Sequence, residues 1–129
     1  MSRNKVVLVV DDVPSIVQLI RGALADQAVD LVAAADGQTG LDLARSLVPD
    51  LILLDLALPV MDGWDVLAAL KADDTTAPVP VVIVTAHGDS DSASRARELG
   101  ASAFIAKPFR PAELRRIIAK MFEPLAAAG

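Results

Sequence analysis

Five polar residues lie at or directly after the ends of hydrophobic stretches, and their side-chain types can act together. They are Asp11, Asp12, Asp55, Thr85 and Lys107. Three carboxylates held within several ångströms repel one another, which raises their pKa values or requires a cation. Mg²⁺ suits such a place because it prefers one or two carboxylates together with water and phosphate oxygens. The residue types therefore predict a site that handles a phosphoryl group.

Phosphoryl transfer would use each of these residue types in a different way. An aspartate can attack phosphorus and form an aspartyl phosphate, while a metal ion, a lysine and a hydroxyl stabilise the phosphoryl oxygens. Taken singly, each residue has a simpler explanation as a turn former, a helix N-cap, a strand-end residue or a surface charge. The phosphoryl site is favoured only if the fold brings all five residues to one place.

The order of hydrophobic runs predicts such a fold. Short β-branched runs alternate with stretches of helical periodicity, which is typical of an α/β protein with a parallel sheet. The predicted strands are 5–10, 29–35, 51–54, 81–84 and 103–106, and the predicted helices are 14–27, 39–47, 64–70, 91–99 and 111–125. In a doubly wound sheet, ligands bind beyond the carboxyl ends of the strands, and the five polar residues fall there.

Length and composition exclude several classes of protein. The 129 residues predict a single domain over 1–129 with its core at 5–125, and 53% hydrophobic residues exclude disorder. Zero cysteines and one histidine exclude thiol chemistry and histidine-based metal cages. The net charge of −5 disfavours nucleic acid and anionic membranes as partners. Because no long apolar segment follows the start, we expect a cytoplasmic protein.

Four motifs together resemble a known family. They are VVDD at 9–12, LILLDLALPVMDG at 51–63, VIVTA at 82–86 and AFIAKPF at 103–109. In order and spacing they resemble the receiver domain of two-component response regulators, the CheY-like family, and the resemblance extends over 5–125. It implies a (βα)5 fold with a five-stranded parallel sheet in the flavodoxin-like order 2-1-3-4-5.

The resemblance also implies a role for each site residue. Asp55 would be the phosphoacceptor. Asp12 would bind Mg²⁺ or Mn²⁺ directly, Asp11 would bind it through water, and Ala57 would bind it through its carbonyl. Thr85 would donate a hydrogen bond to a phosphoryl oxygen, and Lys107 would form an ion pair with the phosphate. No organic cofactor is implied. The Lys107-Pro108 bond would be cis, as is usual in the family.

Two positions depart from the family's usual pattern. Leu58 replaces the common methionine before Pro59, a nearly isosteric change that should cost little. Phe104 occupies the position of the aromatic switch residue but has no hydroxyl, so switching there would depend on packing. Thr85 would move toward the phosphate and Phe104 would fill the space it leaves. The fourth helix is predicted to move, because only Ala93, Ala96 and Leu99 are predicted to face inward.

The predicted function is a phosphorylation switch that is not an enzyme acting on a separate substrate. A histidine kinase or phosphotransfer protein would donate the phosphoryl group. The domain would catalyse the transfer of this group to itself and its later removal. The surface formed by the fourth helix, the fifth strand and the fifth helix would signal to an unknown target. The chain is either a stand-alone regulator or a receiver from a longer protein. A haloacid-dehalogenase-type phosphatase fits less well, because Ala57 stands where that family has its second aspartate and the paired acids here come first in the chain. A pseudo-receiver, a binding module that never takes phosphate, usually lacks an acidic residue or the lysine, and this sequence keeps all five residues.

Other polar and aromatic residues have simpler explanations. His87 is interpreted as a loop residue rather than a general base, and Trp64 as packing rather than an interface anchor. The last helix carries a row of basic residues, namely Arg110, Arg115, Arg116 and Lys120. We interpret that row as a solvated face rather than a nucleic-acid surface, although it could meet a protein partner.

Overall fold

A computed structural model describes residues 4–86 and 89–128 of the chain, and side chains as far as residue 122. The strands are β1 (Lys5–Val10), β2 (Val29–Ala34), β3 (Leu51–Leu54), β4 (Val81–Thr85) and β5 (Ala103–Ala106). The helices are α1 (Pro14–Ala23), α2 (Gly37–Leu47), α3 (Gly63–Ala72), α4 (Ser90–Glu98) and α5 (Pro111–Ala128). All strand pairs are parallel and the sheet order is β2-β1-β3-β4-β5, which confirms the predicted topology.

The core consists of two hydrophobic clusters on opposite faces of the sheet. Successive side chains of a strand point to opposite faces, so the apolar runs of β1, β3 and β4 contribute to both clusters. One cluster joins the sheet to α2, α3 and α4, and the other joins it to α1 and α5. Helices therefore cover both faces and leave the strand ends accessible. None of the described helices is long and apolar enough to cross a membrane.

Several predicted boundaries and burials are wrong at helix ends. Helix α1 ends at Ala23 rather than near residue 27, and β4 includes Thr85 as its last residue. Leu99 was predicted to face inward but is exposed, and Leu47, at the end of the predicted helix 39–47, is exposed as well. Leu47 is the last residue of α2, and Leu99 follows the last residue of α4 as its C-cap. The hydrophobic periodicity extends to helix ends that no longer lie against the sheet.

Candidate functional site

The register of the two central strands brings the three candidate carboxylates together. Val10 at the end of β1 pairs with Leu54 at the end of β3, so the aspartates that follow these residues lie side by side. One oxygen from each of Asp11, Asp12 and Asp55 lies within 4.8 Å of the others. Asp11 is 4% exposed and Asp55 is 5% exposed, while Asp12 is open to solvent. The cluster is therefore a recessed acidic site that solvent reaches from the side of Asp12.

Lys107 reaches the cluster from the end of β5. Its Nζ donates to Asp11 Oδ2 at 2.8 Å and to Asp55 Oδ2 at 3.1 Å. The sequence predicted Lys107 at this edge, but it did not predict that the ammonium bridges two carboxylates. The Lys107-Pro108 peptide bond is cis, as the family resemblance implied.

Burial and ion pairing raise the pKa values of two site residues, Asp11 and Lys107. Desolvation raises the pKa of Asp11 above its ordinary value, against the opposing effect of its hydrogen bond from Lys107. Desolvation by itself would lower the pKa of Lys107, but its hydrogen bonds and charge interactions with Asp11 and Asp55 outweigh burial and raise it. A cation bound beside Asp11 would stabilise the charged carboxylate, so the cluster suits a metal ion.

The loop after β3 holds Asp55 through backbone hydrogen bonds. Ala57 N–H donates to Asp55 Oδ1 at 3.3 Å, and Gly63 N–H donates to the carbonyl of Leu56 at 2.9 Å. A Cβ built on Gly63 would lie 2.2 Å from the carbonyl oxygen of Asp55, so only glycine permits this approach. The loop therefore supports the acidic site from the start of α3.

Thr85 lies on β4 and Phe104 on the neighbouring strand β5. Thr85 is fully buried at the end of β4 and pairs with Ala106, the residue before Lys107. Phe104 lies two residues earlier on β5, is partly buried and packs against the α2-α3-α4 cluster. The structure places Thr85 and Lys107 at neighbouring strand ends, as predicted. His87 lies outside the described residues.

The helix-cap explanation applies to aspartates outside the site. Asp36, Asp62 and Asp89 are the N-caps of α2, α3 and α4, and each accepts a hydrogen bond from a backbone N–H. Asp11 shares this role in part, because its Oδ1 accepts from Val13 N–H at the start of α1. Sequence reasoning missed one further contact beside the site, in which the Arg95 guanidinium lies 4.4 Å from the Trp64 ring centroid. These two residues are far apart in sequence, and no spacing pattern indicates their contact.

A parallel five-stranded sheet with a recessed acidic cluster and a lysine at its carboxyl edge defines a phosphoacceptor signalling domain. Residues 7–119 match the response regulator receiver domain family, and the chain belongs to that family, which functions in phosphorylation-dependent two-component signalling.

Curated relatives share a large part of the sequence. The chain is 42% identical over 108 residues to the DNA-binding response regulator MtrA of Mycolicibacterium smegmatis, covering 84% of this chain and 46% of that protein. It is 41% identical over 102 residues to the response regulator PleD of Caulobacter vibrioides, covering 79% of this chain and 22% of PleD. The chain therefore spans about half or less of the length of these relatives.

Solved structures confirm the fold over nearly the whole chain. The Francisella response regulator 1452 receiver domain superposes with a TM-score of 0.87 at 27% identity, covering 95% of this chain and 99% of that one. The chemotaxis protein CheY4 of Vibrio cholerae superposes with a TM-score of 0.84 at 28% identity, covering 92% and 98% of the two chains.

Proposed function

We propose that Asp55 is the phosphoacceptor of this receiver domain and that Lys107 stabilises the phosphoryl group. The observation that carries the proposal is the position of the Lys107 ammonium between Asp11 and Asp55 in a recessed acidic cluster. In the transfer, a carboxylate oxygen of Asp55 forms a bond to phosphorus while the phosphorus–nitrogen bond of a donor phosphohistidine breaks. The electron pair of that bond stays on the imidazole. Thr85 is proposed to donate its hydroxyl to a phosphoryl oxygen.

The oxygen donors of the cluster fit Mg²⁺ or Mn²⁺. Asp12 and Asp55 are proposed as direct ligands, with Asp11 acting through water and Ala57 through its carbonyl. The solvent-exposed position of Asp12 leaves room for the waters that Mg²⁺ retains. When bound, the ion would neutralise charge on the phosphoryl oxygens. Calorimetric titration with Mg²⁺ should show weaker binding in Asp12→Asn, and unchanged affinity would contradict this assignment.

Phosphorylation is proposed to act through packing between β4, β5 and α4. When the Thr85 hydroxyl turns toward the phosphate, the Phe104 ring occupies the space that becomes available, and α4 shifts. Phe104 already packs against the cluster beneath α4 and borders a cleft with Ala93 and Ala96. The resulting change is proposed to reach a protein target through the surface formed by α4, β5 and α5.

The partners are proposed from the family and from the charge of the chain. A histidine kinase or phosphotransfer protein donates the phosphoryl group. The single domain over 1–129 then hydrolyses its own aspartyl phosphate and acts on no separate substrate. We place this reaction in the cytoplasm. MtrA is named as DNA-binding, but this chain aligns with 46% of MtrA. The net charge of −5 supports a receiver domain that contacts neither nucleic acid nor membrane directly.

Intact-mass analysis tests the phosphoacceptor. After incubation with Mg²⁺ and acetyl phosphate, the wild-type protein should gain one phosphoryl group, and Asp55→Asn should gain none. Asp36→Asn is the matched control, because asparagine is an equally good N-cap for α2 and the site is unchanged. A phosphoryl adduct that persists in Asp55→Asn would refute the assignment.

A further inference from the structure

A cavity of about 190 Å³ lies at the amino edge of the sheet, at the opposite end of the strands from the acidic cluster. Lys5 and Val29, the first residues of β1 and β2, line it. Arg115 Nη1 donates to the carbonyl of Ala23 at 3.4 Å, where α1 ends, and α5 continues beyond that point to Ala128. This amino-edge cavity therefore occupies the space that the shorter helix α1 leaves beside α5.

The walls of the amino-edge cavity are largely apolar. Leu24 and Ile118 line it and are each 3% exposed, and the partly buried ring of Phe122 forms another part of the wall. The charged residues that line it are Lys5 and Arg115, and among the described side chains no acidic residue does so. The cavity thus combines apolar walls with two positive charges.

Neither positive charge has a carboxylate partner among the side chains that the structure describes. The ion pairs within 4.0 Å involve two other cations, Arg45 and Lys107. Lys5 Nζ instead lies 5.6 Å from the centroid of the Phe122 ring, and Arg115 donates to a backbone carbonyl. Two like charges beside one cavity repel each other, and apolar walls strengthen the repulsion because they lower the local dielectric constant. A bound anion would relieve it.

We propose that the amino-edge cavity binds a small aromatic monocarboxylate, with its ring against Phe122 and its carboxylate paired with Lys5 and Arg115. An apolar cavity of about 150 Å³ is large enough for a benzene ring. The volume of about 190 Å³ therefore accommodates one ring that carries a carboxylate group. Aromatic rings pack against each other edge-to-face or offset-stacked, and a guanidinium pairs with both oxygens of a carboxylate.

The same chemistry disfavours other classes of ligand. Inorganic phosphate or acetate would satisfy the two cations but leave the apolar walls in contact with water. A neutral aromatic molecule would cover the walls but leave both positive charges without a partner. A nucleotide is too large for about 190 Å³. Asp55 follows β3 at the opposite edge of the sheet, so this binding is independent of whether Asp55 is the phosphoacceptor.

Three probes of different chemistry test the class of ligand. Benzoate carries the ring and the charge, benzamide has nearly the same shape without the charge, and acetate has the charge without the ring. Each is titrated into the ¹⁵N-labelled protein at constant ionic strength. Benzoate should shift the amide signal of Ala28, which lines the cavity, until saturation and leave that of Ala57 unchanged. Benzamide and acetate should bind roughly tenfold more weakly, or less tightly still.

Substitutions separate the cavity from the general charge of the surface. Lys5→Met and Arg115→Met each remove one charge but keep an apolar side chain, and each should weaken benzoate binding roughly fivefold. Lys120→Met and Arg116→Met remove charges of α5 that do not line the cavity, and they should leave the affinity unchanged. Ala119→Leu keeps both cations but narrows the cavity, and it should weaken binding by roughly tenfold. Because Ala119 is exposed, this variant should unfold near the wild-type urea midpoint.

Several distinct results would overturn the proposal. Equal affinity for benzamide and benzoate would show that the two cations have no part in recognition. Wild-type affinity in Lys5→Met and Arg115→Met, or in Ala119→Leu, would mean that benzoate binds elsewhere. Equal weakening in Lys120→Met and Arg116→Met would mean that benzoate follows the overall positive charge of α5. Signals that shift linearly with benzoate concentration and never saturate would show that the cavity is not a binding site.

Discussion

Helices α3 and α4 follow neighbouring strands and pack on the same face of the sheet, yet they are held very differently. Both have an aspartate N-cap that accepts from a backbone N–H in the first turn. Helix α3 buries a set of residues along its length, namely Gly63, Val66, Leu67 and Leu70, whereas α4 buries only Ala96. Similar local signals for helix formation therefore accompany very different amounts of tertiary packing.

This difference matches what a phosphorylation switch requires of each helix. Helix α3 begins at the loop that supports Asp55. A fixed position of α3 therefore preserves the geometry of the acidic site. Helix α4 follows Thr85 and has few apolar contacts, so little free energy opposes its movement. The Arg95 contact with Trp64 is one of the interactions that join α4 to α3. The substitutions below, ordered from the largest expected effect to the smallest, test whether α3 is the fixed helix and α4 the movable one.

The largest effect is expected from Gly63→Ala at the start of α3. The added Cβ would lie 2.2 Å from the Asp55 carbonyl oxygen and 2.5 Å from Leu56 Cα. Because these obstacles are backbone atoms, we expect a loss of at least about 4 kcal/mol in the free energy of unfolding, above the usual cost of overpacking. Urea unfolding measures it, and Mg²⁺ affinity should fall as Asp55 is displaced.

Gly22→Ala is the control for the change in backbone entropy. Gly22 lies within α1, and a Cβ there meets nothing within 4 Å, so alanine should stabilise the protein by about 0.5–1 kcal/mol. If Gly63→Ala unfolds at the wild-type urea midpoint, the close support of the acidic site by α3 is refuted.

A pair of leucine truncations compares the buried interior of α3 with the end of α4. Leu67 on α3 is fully buried, so Leu67→Ala should cost about 3 kcal/mol through lost burial and a cavity. Leu99 at the end of α4 is 36% exposed, and Leu99→Ala should cost less than about 1 kcal/mol. Denaturation midpoints at constant m-value measure both effects. Equal losses would mean that α4 is packed as firmly as α3.

Leu99 also shows where sequence reasoning stops. The strand order and the acidic cluster were predictable because fully apolar runs indicate strands, and because the carboxyl ends of parallel strands meet at one edge. The burial of Leu99 was not, since a periodic pattern does not reveal that α4 ends at Glu98. The positive φ of Val60, 69°, was also unpredictable, because valine is rarely found in that conformation.

Lys71 on α3 gives a smaller, pH-dependent effect. Its Nζ donates to the carbonyls of Ala77 at 2.9 Å and Val79 at 2.8 Å, and it fixes the connection from α3 to β4. Lys71→Met removes both bonds and should cost about 1–2 kcal/mol at neutral pH, measured by urea unfolding. Lys120→Met, which removes an exposed lysine from α5, should change stability little.

The pH dependence of the Lys71→Met difference has a definite sign. Burial lowers the pKa of the Lys71 ammonium below its ordinary value. Between the lowered pKa and the ordinary one, the unfolded chain binds more protons than the native protein, so this lysine's contribution to stability rises with pH. The gap between wild type and Lys71→Met should therefore widen as pH rises through that window. A gap that narrows would contradict the burial of the charge.

The smallest effect concerns the contact between the two helices. Arg95→Ala removes the cation–π interaction with Trp64, which is worth about 0.5–1 kcal/mol at an exposed site. Such a change would shift a two-state position of α4 by a factor of roughly two to five. Arg97→Ala, on the same helix, is the matched control for charge and helix propensity.

Trp64 is the only tryptophan of the chain and there is no tyrosine, so its fluorescence reports the contact directly. Beryllofluoride with Mg²⁺ should change the emission of the wild type and of Arg97→Ala, because α4 carries Arg95 away from the ring. Arg95→Ala should show altered emission before the addition and little further change after it. If Arg95→Ala alters the emission but beryllofluoride leaves the wild type unchanged, Arg95 does contact the ring yet α4 does not move away from α3. In that case the weak packing of α4 would have to serve some purpose other than switching.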